Sequence, residues 1–508
     1  MAFRLPMADL MRPAQGRRIA FWVSADTKIG GGHVMRCLCL ADVLARTGAD
    51  CTFFVNEAAP RTVAALARAP YRMTIVAHGA RSLVAAADQV GPLDWIIVDD
   101  YRLDAASETP LRAFARQVMV IDDMADRPHD CDLLLDSVLG RRESDYDGLM
   151  PEKSCRLTGQ DYVLLRPEFA LRRGAALARR RATVQPCSIL VSFGLMDPDG
   201  IAGEAAVALV AAFPQAQIRL VLGTAAGSTA KVREIASVHR NLEVLVDPPS
   251  MSDLMAGSHI AVGAGGSTAW ERACLGLPSV AIVLAENQVE LAREFERQGG
   301  AVAVQRDAAV WRNVENAVRR MMDEPDYWQE LSRKASLICD GLGAARASLR
   351  IFPEVAKDGA VITLRRASWE DCDRMLGWQS EPGMRRFSTN PQPPGREEHE
   401  KWTRHKLADP GCVMTIIERS GEPVGVLRFD CHQDHSFMTS ILITEACNGR
   451  GVATAALRAG VRLLEYQTIW AMIDDRNAAS RGAFAKVGFL PLGNGKYKHL
   501  GKAFGALS

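Results

Sequence analysis

Gly30-Gly31-Gly32-His33-Val34-Met35-Arg36-Cys37 is a glycine run that ends in a histidine, where a predicted strand passes into a predicted helix. The strand is the apolar run 19–23, and apolar residues at helical spacing predict a helix over 34–46. Glycines at such a turn let the backbone approach a ligand, and the first N–H groups of a helix attract an anion. A histidine there can exchange a proton near neutral pH. The stretch therefore predicts a ligand-binding turn. The simpler interpretation, a glycine turn with a capping histidine, is disfavoured by similar loops that follow.

The pattern of strand, glycine or acidic loop, and helix repeats up to about residue 350. Most predicted strands are continuous apolar runs, as expected for parallel strands covered on both faces; they are 19–23, 51–55, 95–98, 118–121, 188–192, 218–222, 242–246, 260–262 and 279–283. Predicted helices include 34–46, 111–116, 202–212, 270–275 and 289–298. This alternation predicts a doubly wound α/β fold. A hinge at Val184-Gln185-Pro186 divides it into halves 17–183 and 184–352, whose strand ends would line a cleft.

The pattern changes after residue 353. A strand over 361–364 and a helix over 369–378 precede an antiparallel hairpin, 414–418 with 424–429, and a further strand over 436–443. This mixture predicts a separate α+β domain over 358–508, of about 150 residues, a common domain size.

Composition narrows the class of protein. The net charge of +1 gives no reason to expect nucleic acid or an anionic membrane as a partner, and no apolar run approaches the length of a membrane span. The 12 cysteines are scattered without a CxxC pair, so a reducing cytoplasm and no metal site are expected. The basic clusters at 172–173 and 179–181 are expected on solvated helix surface.

Four more loops follow predicted strands and carry reactive or polar residues: Asp99-Asp100-Tyr101, Ser192-Phe193-Gly194, Gly263-Ala264-Gly265-Gly266-Ser267-Thr268 and Glu286-Asn287-Gln288. Glycines and hydroxyls at a helix start suit a diphosphate, and Glu271, one turn further on, could accept hydrogen bonds from ribose. The acids at 99 and 100 are expected to face the cleft, although helix capping would also explain them. No Gly-Lys-Ser/Thr follows a glycine run, which excludes an ATP P-loop.

In combination, these motifs closely resemble the hydrolases of pseudaminic acid biosynthesis that act on UDP-2,4-diacetamido-2,4,6-trideoxy-β-L-altropyranose. The resemblance covers about residues 17–350 and includes GGGHVMRC, the SFGxxDP motif from Ser192, GAGGSTxWERxCLGLPS from Gly263, and ENQ. It departs from the family at Leu195-Met196. The resemblance implies a GT-B-like fold with two Rossmann-like halves.

The same resemblance implies that water replaces UDP at the anomeric carbon, with inversion and without a metal. His33 would be the general base, with Tyr101 and Asn287 orienting sugar and water. The implied substrate-binding residues are Gly31, Gly32, Arg36, Phe193, Gly194, Gly265, Gly266, Ser267, Thr268, Glu271 and Gln288.

The last domain resembles the Gcn5-related N-acetyltransferases over about residues 360–495. The resemblance implies that acetyl-CoA binds through Asn448, Gly449, Arg450, Gly451, Val452, Ala453, Asn477 and Ser480, beside a splayed strand pair. Two positions depart from the family: Asn448 replaces the usual Arg or Gln, and Phe484 replaces a frequent tyrosine acid. No general acid is therefore predicted.

Trp378, Arg385, Ser388, His399 and Trp402 further resemble the pattern of sugar-amine acetyltransferases in the same biosynthetic route, with a departure at Gln379-Ser380. The two tryptophans are more often core aromatics than sugar platforms. The sequence thus predicts an enzyme that acetylates the 4-amine of a UDP-linked amino sugar and hydrolyses UDP from the product. The alternatives are a GT-B glycosyltransferase, or a hydrolase or nucleotide-sugar sensor with a degenerate acetyl-CoA-binding tail. Oligomeric state stays open.

Overall fold

The computed structural model describes residues 13–26, 30–77, 80–194, 197, 199–224, 226–388 and 390–503, without the side chains at 80, 81 and 287. The family departure at Leu195-Met196 lies outside these residues. By their contacts, residues up to Leu164 together with those from Leu342 onward form one compact unit, and Leu165–Gly341 form another.

The first sheet contains seven parallel strands in the order β3-β2-β1-β4-β5-β6-β7. They are β1 Arg18–Val23, β2 Asp50–Val55, β3 Arg72–Ile75, β4 Leu93–Asp99, β5 Ala115–Ile121, β6 Leu133–Asp136 and β7 Cys155–Thr158. The helices are α1 Gly32–Arg46, α2 Ala59–Thr62, α3 Ala64–Arg68, α4 Ala80–Val90 and α5 Ala105–Glu108, with 3-10 turns at Thr109–Ala113, Glu143–Tyr146 and Gln160–Tyr162. Strand order reverses between β1 and β4, and ligands bind at the carboxyl ends of strands at such a point.

The continuous apolar character of β1 reflects burial on both faces of this sheet. Phe21 belongs to the core that includes α1, whereas Trp22 belongs to the core that includes α4. A strand with two buried faces needs apolar residues at every position, so this central strand could be predicted from sequence.

The second sheet has six parallel strands in the order β10-β9-β8-β11-β12-β13. They are β8 Ser188–Ser192, β9 Gln217–Leu222, β10 Leu242–Val246, β11 Ile260–Ala264, β12 Ser279–Val283 and β13 Val302–Gln305. The helices are α6 Pro167–Ala182, α7 Ile201–Ala212, α8 Thr229–Val238, α9 Met251–Gly257, α10 Thr268–Cys274, α11 Val289–Arg297, α12 Val310–Asp323 and α13 Pro325–Ile338, with a 3-10 turn at Glu286–Gln288. The order again reverses, here between β8 and β11.

The third sheet has eight strands in the order β14-β15-β16-β17-β18-β19-β21-β20. They are β14 Glu354–Val355, β15 Val361–Arg366, β16 Cys412–Arg419, β17 Glu422–Cys431, β18 Phe437–Ile443, β19 Ile469–Met472, β20 Leu490–Gly493 and β21 Lys496–His499. The helices are α14 Gly343–Ile351, α15 Cys372–Ser380, α16 Arg396–Leu407, α17 Val452–Leu463 and α18 Ala478–Lys486, with 3-10 turns at Trp369–Asp371 and Glu445–Cys447. All described strand pairs are antiparallel except β18 with β19. The two Rossmann-like sheets and the α+β domain confirm the predicted fold class.

Several local predictions were wrong. Residues 111–116 do not form an α-helix, because the 3-10 turn Thr109–Ala113 leads directly into β5. Strands β3, β6, β7 and β13 were not predicted; each has only four residues, too few to show a pattern. The arginine clusters are not all solvated, since Arg173 and Arg180 are buried.

The last helix of each predicted half packs against the other half's elements, so the structure divides the chain differently from the predicted boundaries at 183 and 352. Helix α6 packs against α9, α10 and α13 of the second unit, although it was placed in 17–183. Helix α14 packs against α1 of the first sheet, although it was placed in 184–352.

Candidate functional site

His33 lies in the first turn of α1, which starts at the carboxyl end of β1. Its Nδ1 atom is 2.6 Å from Oδ1 of Asp99, the fully buried last residue of β4. An ionised carboxylate only accepts, so Nδ1–H donates and the free electron pair of the ring lies on Nε2. No hydrogen bond from the described residues reaches Nε2. Asp99 therefore selects the tautomer that a base acting through Nε2 requires.

Arg36, one turn along α1, neutralises the carboxylates of this site. Its guanidinium donates two hydrogen bonds of 2.7 Å to Asp99 and contacts both carboxylate oxygens of Asp123, at 2.7 and 2.9 Å. Burial alone would raise the pKa of Asp99, but Arg36 and His33 lower it well below its usual range. Asp99 consequently stays ionised as the acceptor for His33.

Tyr101 lies directly beside His33, with ring centroids 4.5 Å apart in an edge-to-face arrangement. Its hydroxyl donates to Asp123 at 2.5 Å. Partial burial and the negative charge of Asp123 raise the pKa of the Tyr101 phenol. The phenol therefore stays protonated, which suits orientation of a substrate better than proton transfer.

Sequence reasoning did not assign roles to two acids that hold this site. From the sequence, Asp99 was placed beside Tyr101 without a pairing to His33, and no role was assigned to Asp123, which lies two residues after β5. Asp100, expected to face the same cleft, instead accepts from Trp22 Nε1 and Ser24 Oγ. Successive side chains of an extended chain point to opposite faces, so only alternate acids could reach His33.

A second polar group holds the loop after β5. Asp136 accepts from Tyr146 at 2.7 Å and pairs with Arg141 at 2.5 Å, and Arg141 also donates to the backbone oxygen of Asp123. Burial raises the pKa of Asp136 to about 6. These buried groups fix the backbone that presents Asp123.

The second unit presents the predicted diphosphate loop between β11 and α10. A side chain at Gly263 would lie 2.3 Å from the Ser192 carbonyl, so glycine is required there. The N–H groups of Gly266, Ser267 and Thr268 form no hydrogen bond within the described residues. These groups leave the loop able to bind an anion.

Arg272 lies buried beneath this loop and was not predicted. It donates to the Ala264 carbonyl at 2.8 Å and to Thr268 Oγ1 at 3.3 Å. No carboxylate of the described residues forms an ion pair with it, and burial lowers its pKa to about 10. The charge of Glu271 opposes this effect only in part, so a buried cation that makes no ion-pair contact among the described residues favours an anion on the loop above it.

Glu271 and Gln288 flank the same loop. Burial raises the pKa of Glu271 to about 7, and the nearest cation, Arg166 Nη2, is 3.9 Å from its Oε1. Gln288 accepts from the Leu284 N–H at 3.1 Å, and its Nε2 lies 3.5 Å from where a side chain at Gly266 would start. Gln288 therefore packs over the loop with its Nε2 group near Gly266, and its role in substrate binding stays a prediction.

Three further predicted residues differ in how far the structure describes them. Phe193 is buried in the core of the second sheet, and Gly194 follows it at φ 102°, a conformation that favours glycine. The side chain of Asn287 lies outside the described part, so its role stays a prediction.

The predicted acetyl-CoA loop precedes α17. Gly449 and Gly451 have φ of 74° and 84°, and Gly451 caps the helix. The N–H groups of Gly449, Gly451, Val452 and Ala453 form no hydrogen bond within the described residues, and Asn448 and Arg450 complete the turn. Strands β18 and β19 pair only over Phe437–Thr439 and Ile469–Ala471, so β18 continues without this neighbour.

Asn477 and Phe484 both make contacts within the acetyltransferase domain. Asn477 Oδ1 accepts from the Ser480 N–H at 3.0 Å and caps α18, so this oxygen and this N–H satisfy each other. Phe484 is buried edge-to-face on Phe489 and offers no acid at that position.

In the region predicted to bind the sugar amine, His399, Gln379 and Arg385 form a hydrogen-bonded chain. Buried His399 donates through Nε2 to the Cys372 carbonyl at 3.0 Å, which leaves Nδ1 to accept from Gln379. Arg385 in turn donates to Gln379 at 2.5 Å. Trp378 lies in the core, in agreement with the interpretation of this residue as a core aromatic.

Among the described residues, no group of three or more His, Cys, Asp or Glu side chains could hold a metal ion. None of the helices in that part of the chain has the length and apolar character to cross a bilayer.

Two family models match parts of the chain. Residues 205–346 match the glycosyltransferase family 28 C-terminal domain, and residues 362–490 match the acetyltransferase (GNAT) domain. The chain therefore joins a region similar to nucleotide-sugar enzymes to a GNAT acetyltransferase domain.

Individual relatives are more specific. The chain is 22% identical over 283 residues to the UDP-2,4-diacetamido-2,4,6-trideoxy-beta-L-altropyranose hydrolase of Campylobacter jejuni, covering 56% of this chain and 97% of the relative. Among solved structures, MurG of Acinetobacter baumannii matches with a TM-score of 0.49 and 13% identity over 66% of this chain and 99% of its own. The ribosomal L7/L12 α-N-acetyltransferase RimL with coenzyme A matches with a TM-score of 0.26 and 17% identity over 28% of this chain and 94% of its own.

Proposed function

We propose that this protein is a bifunctional enzyme of pseudaminic acid biosynthesis. Its GNAT domain transfers the acetyl group of acetyl-CoA to the 4-amine of a UDP-linked 4-amino-4,6-dideoxy sugar. Its two Rossmann-like halves then hydrolyse UDP-2,4-diacetamido-2,4,6-trideoxy-β-L-altropyranose. The observation that carries the hydrolase assignment is the buried Asp99 carboxylate 2.6 Å from His33 Nδ1. The twelve free cysteines fit a reducing cytoplasm.

In the hydrolytic step, His33 Nε2 removes a proton from water while the water oxygen attacks the anomeric carbon. The bond between that carbon and the UDP oxygen breaks, and UDP leaves with the electron pair. Asp99 stabilises the imidazolium that forms, as a buried carboxylate does for a histidine base. The free N–H groups of the Gly263–Thr268 loop and the Arg272 cation bind the diphosphate. Tyr101 and Asn287 orient sugar and water.

In the acetyl transfer step, the sugar amine attacks the thioester carbonyl, the carbon–sulfur bond breaks, and CoA leaves as a thiolate. The free N–H groups from Gly449 to Ala453 bind the pyrophosphate of acetyl-CoA. Because Phe484 is buried and apolar, proton return to the thiolate involves another group or water.

The test of the hydrolase assignment is turnover in three full-length variants. His33→Ala and Asp99→Asn should each lower kcat by roughly 10²–10⁴, the range for loss of a general base or its orienting acid, with UDP affinity kept. Asp100→Asn is the matched control, since this neighbouring carboxylate contacts Trp22 and Ser24 instead of His33. Near-normal kcat in a folded His33→Ala protein would remove His33 from the mechanism.

A further inference from the structure

The short turn between β14 and β15 belongs to the acetyltransferase domain although it lies at its very start. Ala356 N–H donates to the Ala360 carbonyl at 2.9 Å, and Gly359 N–H donates to the Ala356 carbonyl at 3.0 Å. Asp358 accepts from the Ala360 N–H at 3.2 Å. These bonds close the turn and fix the backbone position of Lys357 within it.

Lys357 lies directly against the acetyl-CoA loop. A side chain at Gly451 would start 2.8 Å from both the backbone nitrogen and the Cβ of Lys357. Gly451 caps the twelve-residue helix α17, next to the free N–H groups. A lysine side chain extends by roughly 6 Å from its backbone, so its ammonium group can reach an anion at this helix start.

The charge of Lys357 is not neutralised by its neighbours. The residue is exposed, and no carboxylate of the described residues pairs with it. Neighbouring Asp358 pairs with Arg419 at 2.6 Å, and Glu354 pairs with Arg462 at 3.1 Å. Within the loop, Arg450 is the one cationic side chain, and Asn448 at its first position carries no charge.

We propose that Lys357 binds a phosphate group of acetyl-CoA and supplies the charge that Asn448 does not. This inference rests on the proposed binding of acetyl-CoA by residues 448–453. It makes the first turn of the acetyltransferase domain, between β14 and β15, part of the cofactor site. An ammonium on a flexible stem is a compact donor well suited to a phosphate oxygen.

The test is the affinity of the full-length protein for coenzyme A, measured by calorimetry at low and physiological ionic strength. Lys357→Gln should weaken binding roughly tenfold at low salt, the order expected for a lost charge-assisted hydrogen bond, and less at physiological salt. Lys357→Arg should keep most of the affinity. Lys401→Gln, which removes an exposed unpaired lysine of α16, should bind as the wild type does.

Dephospho-CoA identifies which phosphate is bound. If Lys357→Gln loses affinity for CoA but not for dephospho-CoA, the 3′-phosphate is the partner; an equal loss for both assigns the pyrophosphate. Unchanged CoA affinity in a Lys357→Gln protein with wild-type Tm would overturn the inference about Lys357 and leave the proposed acetyltransferase function intact. Absence of CoA binding to the wild-type protein would overturn the proposed acetyltransferase function and this inference with it.

Discussion

At the scale of single residues, the proposed contact of Glu271 with the ribose of UDP predicts a dependence of UDP affinity on pH. Burial raises its pKa to about 7, so the carboxyl is largely protonated at pH 6 and ionised at pH 8. An ionised carboxylate accepts hydrogen bonds from both ribose hydroxyls, whereas the protonated form has lost part of that capacity. UDP affinity should therefore rise as pH increases through 7, and Glu271→Gln should weaken UDP binding by about 1–3 kcal/mol at pH 8.

Calorimetry from pH 6 to pH 8.5 measures this dependence. UDP itself titrates near pH 6, so the Glu271→Gln protein is the control that retains only the ligand's own titration. Identical pH profiles for the two proteins would mean that Glu271 does not contact the ribose.

The residues predicted best from sequence are those whose motifs lie close together in the chain. His33 and Arg36 are three positions apart on one helix, and the structure places Nη2 of Arg36 3.2 Å from Nδ1 of His33. Their roles in a site stay predictions. Asp99 and Asp123 come from strands far along the chain, and only the order of the sheet brings them to α1. Arg272 could not be predicted, because the residue type and its spacing do not show that this arginine is buried.

At the scale of secondary-structure elements, α6 shows why the prediction of solvated arginine clusters was wrong. Its buried residues are Phe169, Arg173, Ala176, Leu177 and Arg180, which lie on one helical face. That spacing was visible in the sequence, but arginine was assigned to solvent by residue type. Arg173 instead donates to the carbonyls of Cys274, Ser336 and Cys339, at 2.5, 2.6 and 3.0 Å.

Removal of Arg173 should destabilise the second unit. Arg173→Ala leaves three buried carbonyls without their donor, and each uncompensated group costs about 1–3 kcal/mol. A clear decrease in Tm is expected in thermal unfolding, whereas Arg181→Ala, an exposed position of the same helix, should leave Tm nearly unchanged. Equal Tm values for the two variants would place the Arg173 guanidinium in solvent.

At the scale of the whole molecule, the acetyltransferase domain is tightly joined to the first Rossmann-like half. Arg462 of α17 donates to the Phe352 carbonyl at 2.8 Å, Arg366 pairs with Asp161 at 3.2 Å, and Arg46 of α1 lies 5.1 Å from the Tyr466 ring centre. A domain boundary at 358 was expected from the change in sequence pattern. The pattern could not show that β14 pairs with β15, so a fragment starting at 358 would lack a strand of its own sheet.

The most direct test of the central claim is mass spectrometry of the products formed from the UDP-linked 4-amino sugar in H₂¹⁸O. With acetyl-CoA, the full-length protein should produce CoA, unlabelled UDP and a free diacetamido sugar that carries one ¹⁸O, because water attacks the anomeric carbon. Without acetyl-CoA, the diacetamido sugar should not form. Label in UDP, transfer of the sugar to another acceptor, or recovery of the unaltered 4-amino sugar in the presence of acetyl-CoA would contradict the proposed function.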